Sequence, residues 1–247
     1  MQSITFPPVL PARDQVADDY FLGLDLAQAR DWTALSVIKR SGLPEVFTCL
    51  DLVRWQGEPY TAIVREMVQL MNTEAIRGPR YLIVDGTGIG RPVVDMLREA
   101  MPEHFRAGCL KAVTITAGGA AHYDELSTYW HVPKVDLVST YHCLFGTQRF
   151  RVAKSLTLAD ALHREINSFE VKTTAAGAET YSAWREQAHD DLVLSCALAL
   201  YFGQPRRTPR PWGYDALPAQ LTSMKGEEAR GPMGAQGHGS EADYFTF

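Results

Sequence analysis

The chain has 247 residues, 24 Lys+Arg against 29 Asp+Glu, a formal net charge of −5 and 46% hydrophobic residues. This balance belongs to a globular domain and excludes a broadly basic protein that coats nucleic acid, while a local basic cleft in an acidic body stays compatible with it. The length allows one large domain or two small ones, enough to bury about 70% of the unfolded chain's surface without staples. Cys49, Cys109, Cys143 and Cys196 form no C-x-x-C pair, and no His stands at zinc-finger spacing, so reduced thiols are expected rather than a disulfide framework or a zinc module. The first residues lack a basic segment followed by an apolar one, and no run of about 18 apolar residues occurs, so the expectation is a cytoplasmic chain without membrane association.

Residues 1–18 are aperiodic and contain Pro, and read as an N-terminal arm. Residues 19–203 carry the periodic patterns of a folded body, and 204–247 turn Pro/Arg-rich and then Gly-rich, as a C-terminal tail. Within the body, Tyr20–Leu26 is an apolar strand, Thr33–Ile38 returns after a polar turn, and Glu45–Leu52 follows the Gly42/Pro44 break: an antiparallel meander. Ile63, Val64, Met67, Val68, Leu70 and Met71 give Tyr60–Ile76 a helical period that Gly78 and Pro79 stop. Tyr81–Asp85 is apolar throughout until its last residue, the mark of a strand buried on both faces. The turn Gly86-Thr87-Gly88-Ile89-Gly90 leads into a helix over Pro92–Ala100, and Ala112–Ile115 reads as a strand. Helices are expected near Lys134–Phe145, Leu158–Ser168 and Asp190–Phe202, with Phe150–Val152 and Phe169–Lys172 as short strand candidates. The fold class is α/β: a mixed five-stranded sheet, an antiparallel meander plus parallel strands, flanked by helices.

The acidic residues carry the functional signal. Asp25 sits in an apolar strand and Asp85 ends another, where each taken alone has a plain role as a turn or helix cap. Asp190 and Asp191 open a helix that is apolar nearly throughout, and one carboxylate there is expected from the helix dipole while a second is costly if buried without compensation. If the strands ending at Asp25 and Asp85 are neighbours, their carboxylates lie about 5 Å apart, and the last helix, packed across the same edge, brings Asp190 and Asp191. Carboxylates that close call for hard cations, and an all-oxygen ligand set selects Mg²⁺ or Mn²⁺ over zinc. Two such ions about 3.5–4 Å apart suit phosphodiester hydrolysis.

In Gly23-Leu24-Asp25-Leu26-Ala27 followed by Asp31-Trp32-Thr33-Ala34-Leu35, in Val84-Asp85-Gly86-Thr87-Gly88-Ile89-Gly90, in Val132-Pro133-Lys134 and in His189-Asp190-Asp191-Leu192-Val193, the chain resembles the nuclease domain of the phage terminase large subunit. The resemblance spans about Phe21 to Phe202. It implies an RNase H-like, RuvC-type fold, metal-dependent endonucleolytic cutting of double-stranded DNA during genome packaging, and Asp25, Asp85, Asp190 and Asp191 as the catalytic ligands of two Mg²⁺ or Mn²⁺ ions. Asp25 would bridge both ions. Implied partners are double-stranded DNA, a portal protein, the terminase small subunit and an ATPase domain. That ATPase carries a G-x-x-x-x-G-K-[S/T] loop, and this chain has no Gly-Lys dipeptide. The expectation is a nuclease half as a separate polypeptide or fragment, or a stand-alone relative whose ATPase comes from another protein.

Arg30, Arg91 and Lys134 are candidate DNA contacts, weighed against solvated surface charges, and His189 is a capping residue, a ligand-orienting residue or a catalytic one. The Gly-rich turn is not a dinucleotide fingerprint, because Val93 stands where its third Gly belongs. Three other readings remain open on sequence alone: a RuvC-like Holliday-junction resolvase, an actin-like or sugar-kinase-like ATPase, and a non-catalytic DNA-binding assembly module.

Overall fold

The structure, a computed structural model, describes residues 18–27, 31–76, 78–106, 108–176 and 190–205. Arg30, His189, the N-terminal arm up to residue 17 and the tail beyond Pro205 lie outside the described residues.

Strands β1 (Asp19–Asp25), β2 (Trp32–Ser41) and β3 (Val46–Gln56) form the expected antiparallel meander. Helix α1 (Tyr60–Asn72) crosses over to β4 (Arg80–Asp85), which lies parallel to β1. Helix α2 (Gly90–Ala100) and the short α3 (Glu103–Arg106) lead to β5 (Leu110–Thr116), parallel to β4. These are the five strands expected from the sequence, in the spatial order β3-β2-β1-β4-β5.

Three more strands widen the sheet to eight. Beyond β5 stand β7 (Tyr129–Pro133), parallel to it, and β6 (His122–Asp124), antiparallel to β7, while β8 (Phe150–Val152) pairs with β3. Of these only Phe150–Val152 is foreseen by the sequence. The β6–β7 turn rests on side-chain bonds that no period reveals: the Leu126 amide and the Ser127 hydroxyl both donate to the Asp124 carboxylate, and Arg98 donates to the Thr128 carbonyl and hydroxyl. Thr128 is held there at φ 58°, a conformation non-glycine residues rarely take.

Helices α4 (Lys134–Gly146), α5 (Ala159–Ala176) and α6 (Asp191–Gly203) complete the fold. The strand candidate Phe169–Lys172 is corrected: it lies inside α5, where it continues the helix that begins with the buried stripe Ala159, Leu162 and Ile166. One face of the sheet buries Leu22, Leu24, Leu82 and Val84 under α1 and α2. The other buries Phe21, Ala34, Ile38 and Ile83 under α6, which is itself covered by α4 and α5. This sandwiching explains a helix apolar on all sides, since neither side of α6 meets water. Among the described residues no helix is long and apolar enough to cross a membrane.

Asp51, on β3, gives a test of this layering. Burial raises its carboxyl pKa, opposed by the Leu52 amide, which donates to it at 2.8 Å. A carboxyl whose folded pKa is raised stabilises most when protonated, and that contribution is lost as pH rises through the folded value. Asp51→Asn, which keeps an acceptor for Leu52, is therefore expected to raise the melting temperature at pH 7, with the gain vanishing at pH values below the ordinary carboxylate range. An equal gain at pH 3 and pH 7 would contradict this assignment.

Candidate metal centre

Strand register sets the site. Leu24 pairs with Val84 across the parallel β1–β4 ladder, so the next residues, Asp25 and Asp85, end adjacent strands about 4.8 Å apart. Asp25 also pairs with Ala34, and Ala34 with Arg54. One row across the sheet thus reads Asp85, Asp25, Ala34, Arg54.

The alternation of strand residues gives this row its direction. Gly23, two residues before Asp25, faces α6 so closely that a Cβ there would lie 1.9 Å from the Ser195 carbonyl oxygen. Gly203, at the far end of α6, packs on Phe21 and Phe47. Helix α6 therefore runs antiparallel to β1, and Asp191, one turn before Ser195, lies towards the Asp25 end. Asp25, Asp85 and Asp191 are 8%, 5% and 8% exposed, while Asp190 is half-buried.

The turn after β4 orients Asp85. Asp85 accepts from the Thr87 amide at 2.8 Å, while the Thr87 hydroxyl accepts from the Ile115 amide at 2.9 Å, tying the Gly-rich turn to β5. Gly90 lets the chain turn tightly there, since a Cβ on it would meet the Asp85 carbonyl oxygen at 2.1 Å. The plain capping role foreseen for Asp85 is thus real, at the turn that follows β4. Asp190 occupies the N-cap of α6 without a side-chain cap hydrogen bond.

Two residues that sequence reasoning missed complete the surroundings. Glu165, on α5, accepts from the Leu192 and Val193 amides at 3.0 and 3.1 Å, capping α6 from another helix. Its other oxygen pairs with Arg54, whose guanidinium also reaches the Asp191 carboxylate at 3.4 Å. Burial pulls the Arg54 guanidinium below the ordinary arginine value, opposed by Asp191. A β-bulge hides Arg54 from the sequence. Val37 pairs with Asp51 but Ile38 with Cys49, so Leu50 is an extra residue. The face carried by Phe47 and Cys49 thereby passes to Leu52 and Arg54 instead of Val53 and Trp55. Glu165 is more legible, standing beside Leu162 and Ile166 on the buried stripe of a foreseen helix.

The basic candidates separate. Lys134 begins α4 directly after β7, whose end shares the sheet edge of Asp25 and Asp85 because β1, β4, β5 and β7 all run parallel. It is 8% exposed, which corrects the alternative of a solvated surface charge: β7 carries it into the fold as the first residue of a packed helix. Arg91 follows β4 at the same edge but belongs to α2, on the opposite face, where its exposed side chain lies over the Tyr129 ring at 5.5 Å.

The donor set at this edge is chemically suited to hard cations: carboxylate oxygens on two adjacent strands and one buried helix start. Among the described residues, no three His, Cys, Asp or Glu side chains converge closely enough to hold one ion. Asp191 is shared with Arg54 instead.

A mixed sheet with a β3-β2-β1-β4-β5 core, acidic residues ending β1 and β4, and a buried helix laid across β1 defines an RNase H-like protein. A family model described as the terminase RNaseH-like domain matches residues 22–201, and the chain belongs to that family. The fold is similar to that of the human cytomegalovirus terminase nuclease domain, Mn-soaked and inhibitor-bound, with a TM-score of 0.51 at 12% identity, covering 79% of this chain and 87% of that one. The large terminase nuclease from thermophilic phage G20c, with bound magnesium, aligns at 18% identity and a TM-score of 0.46 over 75% of this chain and 81% of that one. The large terminase of a second thermophilic bacteriophage, in complex with ADP, aligns at 12% identity and a TM-score of 0.42 over 64% of this chain but only 33% of its own. A search of curated proteins gives no match.

Proposed function

We propose that this chain is a divalent-metal-dependent endonuclease that cuts concatemeric double-stranded viral DNA during genome packaging. Its partners in that role are the DNA, a portal protein, a terminase small subunit and an ATPase domain. The observation that carries the reading is the pair of buried carboxylates, Asp25 and Asp85, on adjacent parallel strands, facing the helix that begins with Asp190 and Asp191. Membership of the terminase RNaseH-like family supports the nuclease role.

Asp25 would hold both of two Mg²⁺ or Mn²⁺ ions, Asp85 would complete one site, and Asp190 with Asp191 the other. Ions held there would lower the pKa of a bound water to near neutral pH and would offset the charge on the leaving 3′ oxygen. The chain's own part is orientation. The Thr87 amide fixes the Asp85 carboxylate, and the packing of Ser195 on Gly23 sets how far α6 stands from β1. Arg91 and Lys134 at the same edge offer positive charge to phosphates, which gives binding that is independent of sequence and weakened by salt.

The test is incubation of the purified chain with supercoiled and linear plasmid in Mn²⁺. Cutting of both forms that stops with EDTA and declines with rising salt is expected. Intact plasmid over a wide range of protein and Mn²⁺ would contradict nuclease competence of this chain. Cutting confined to four-way junctions would point to a resolvase.

A further inference from the structure

One buried network beside the acidic edge joins Asp191 to two residues, Arg54 and Glu165, that have no part in the chemistry above. Glu165, Arg54 and Asp191 come from α5, β3 and α6, are 7%, 14% and 12% exposed at their side chains, and join in one chain of ion pairs. Glu165 divides its two oxygens: one takes Arg54, the other takes the Leu192 and Val193 amides. Arg54 in turn divides its charge between Glu165 and Asp191, and its guanidinium lies over the Trp32 ring at 5.8 Å.

A buried three-member network of this kind is a poor device for stability, because desolvation offsets most of the attraction between its charges. What it does determine is geometry. Asp190, the natural N-cap, makes no side-chain cap hydrogen bond, and the capping comes from Glu165 on a separate helix. The first turn of α6 is thereby tied to α5, and the Asp191 carboxylate is held at the Arg54 end of the row that contains Asp25 and Asp85.

We infer that Arg54 and Glu165 are positioning residues that set Asp191 as a cation ligand; the inference rests on the metal-dependent reading above. Glu165 fixes the backbone of the first turn of α6, and Arg54 fixes the rotamer of Asp191 and supplies the counter-charge that lets a carboxylate lie buried at the start of that helix. Neither residue touches the ion or the DNA.

The test is Mn²⁺ binding without DNA, followed by the Mn²⁺ electron paramagnetic resonance signal, in the full chain and in E165Q, R54K, D191N and the doubles E165Q/D191N and R54K/D191N. Gln at 165 keeps an acceptor for the two amides but turns a donor towards Arg54, and Lys at 54 keeps the charge but loses the fork that spans two carboxylates. Each single variant is expected to fold by circular dichroism and to bind Mn²⁺ about 10–100-fold more weakly, the usual consequence of losing a residue that orients a ligand. On the D191N background neither change is expected to weaken binding by more than about twofold, because a residue acting through Asp191 has nothing left to position. Folded E165Q and R54K with unchanged Mn²⁺ affinity overturn the inference, as do effects that persist in full on the D191N background. Loss of fold in both variants assigns the pair to stability and overturns it as well. Wild type that binds no Mn²⁺ removes the metal reading itself, an outcome distinct from any of these.

Discussion

Asp25→Asn is expected to abolish Mn²⁺-supported plasmid cutting. The loss should exceed the about 10–100-fold that removal of an outer partner of a metal ligand costs, because Asp25 is assigned to both ions. Asn keeps the shape and one acceptor oxygen but removes the charge, so the variant tests electrostatics with little change in packing. Asp25 ends a strand whose other residues are almost wholly buried, and its neighbour Asp85 lies one strand spacing away on the same face. Loss of one negative charge relieves repulsion between them, so the melting temperature without metal should hold or rise while cutting disappears. Cutting that survives Asp25→Asn would identify another site or a contaminant. A lower melting temperature with cutting intact would mark Asp25 as a structural residue. Turnover of ATP that depends on Asp25 would favour a kinase-like reading of the fold.

Gly23→Ala is expected to be the most damaging small substitution in the fold. The added methyl would lie 1.9 Å from the Ser195 carbonyl oxygen, 2.9 Å from its carbon and 3.1 Å from the Ala199 amide nitrogen. All three are backbone atoms of a helix confined between the sheet and α4 and α5, so no side-chain rotation relieves the contact. Overpacking of this kind costs at least about 3 kcal/mol, a fall of roughly 6–12 °C in melting temperature for a domain of this size. If α6 instead moves away from β1 and the fold survives, Asp191 leaves the Asp25–Asp85 edge, and Mn²⁺ binding should fall with it. Gly146→Ala is the control. Its methyl meets nothing within 4 Å at the last residue of α4, and stability should hold or rise slightly. Equal melting temperatures for Gly23→Ala and wild type would contradict the packing of α6 on β1.

The residues that could be read from the sequence are those whose neighbours along the chain report their environment. An all-apolar run ending in Asp85 announces a central parallel strand, and a helix apolar on every side at Asp191–Gly203 announces a buried one, so both carboxylates stood out as charges in dry surroundings. The register that brings Asp25 beside Asp85 follows once β1 and β4 are neighbours, a matter of topology that local pattern only implies. Other features depended on distant contacts. The bulge at Leu50 changes which residues of β3 face α6, and no alternation rule reveals it from one strand alone. Capping of α6 comes from Glu165, 27 residues before Leu192 in the chain, whereas cap signals in sequence are looked for at the helix start. Strands β6 and β7 are short, one ends in Pro133, and their turn is held by Asp124 and by Arg98 from another element. For Lys134 the sequence leaves a DNA contact and a solvated surface charge both open, and its burial follows from the way β7 runs straight into α4.

The edge formed by Asp25, Asp85 and the start of α6 is the proposed divalent-cation site. Its most direct test is a crystal of this chain soaked in Mn²⁺ and measured near the manganese absorption edge. Anomalous peaks within coordination distance of the Asp25 carboxylate, with Asp85 on one side and Asp190 or Asp191 on the other, are the expected result. Crystals that show no anomalous peak at this edge, with Mn²⁺ bound elsewhere on the chain, would contradict it.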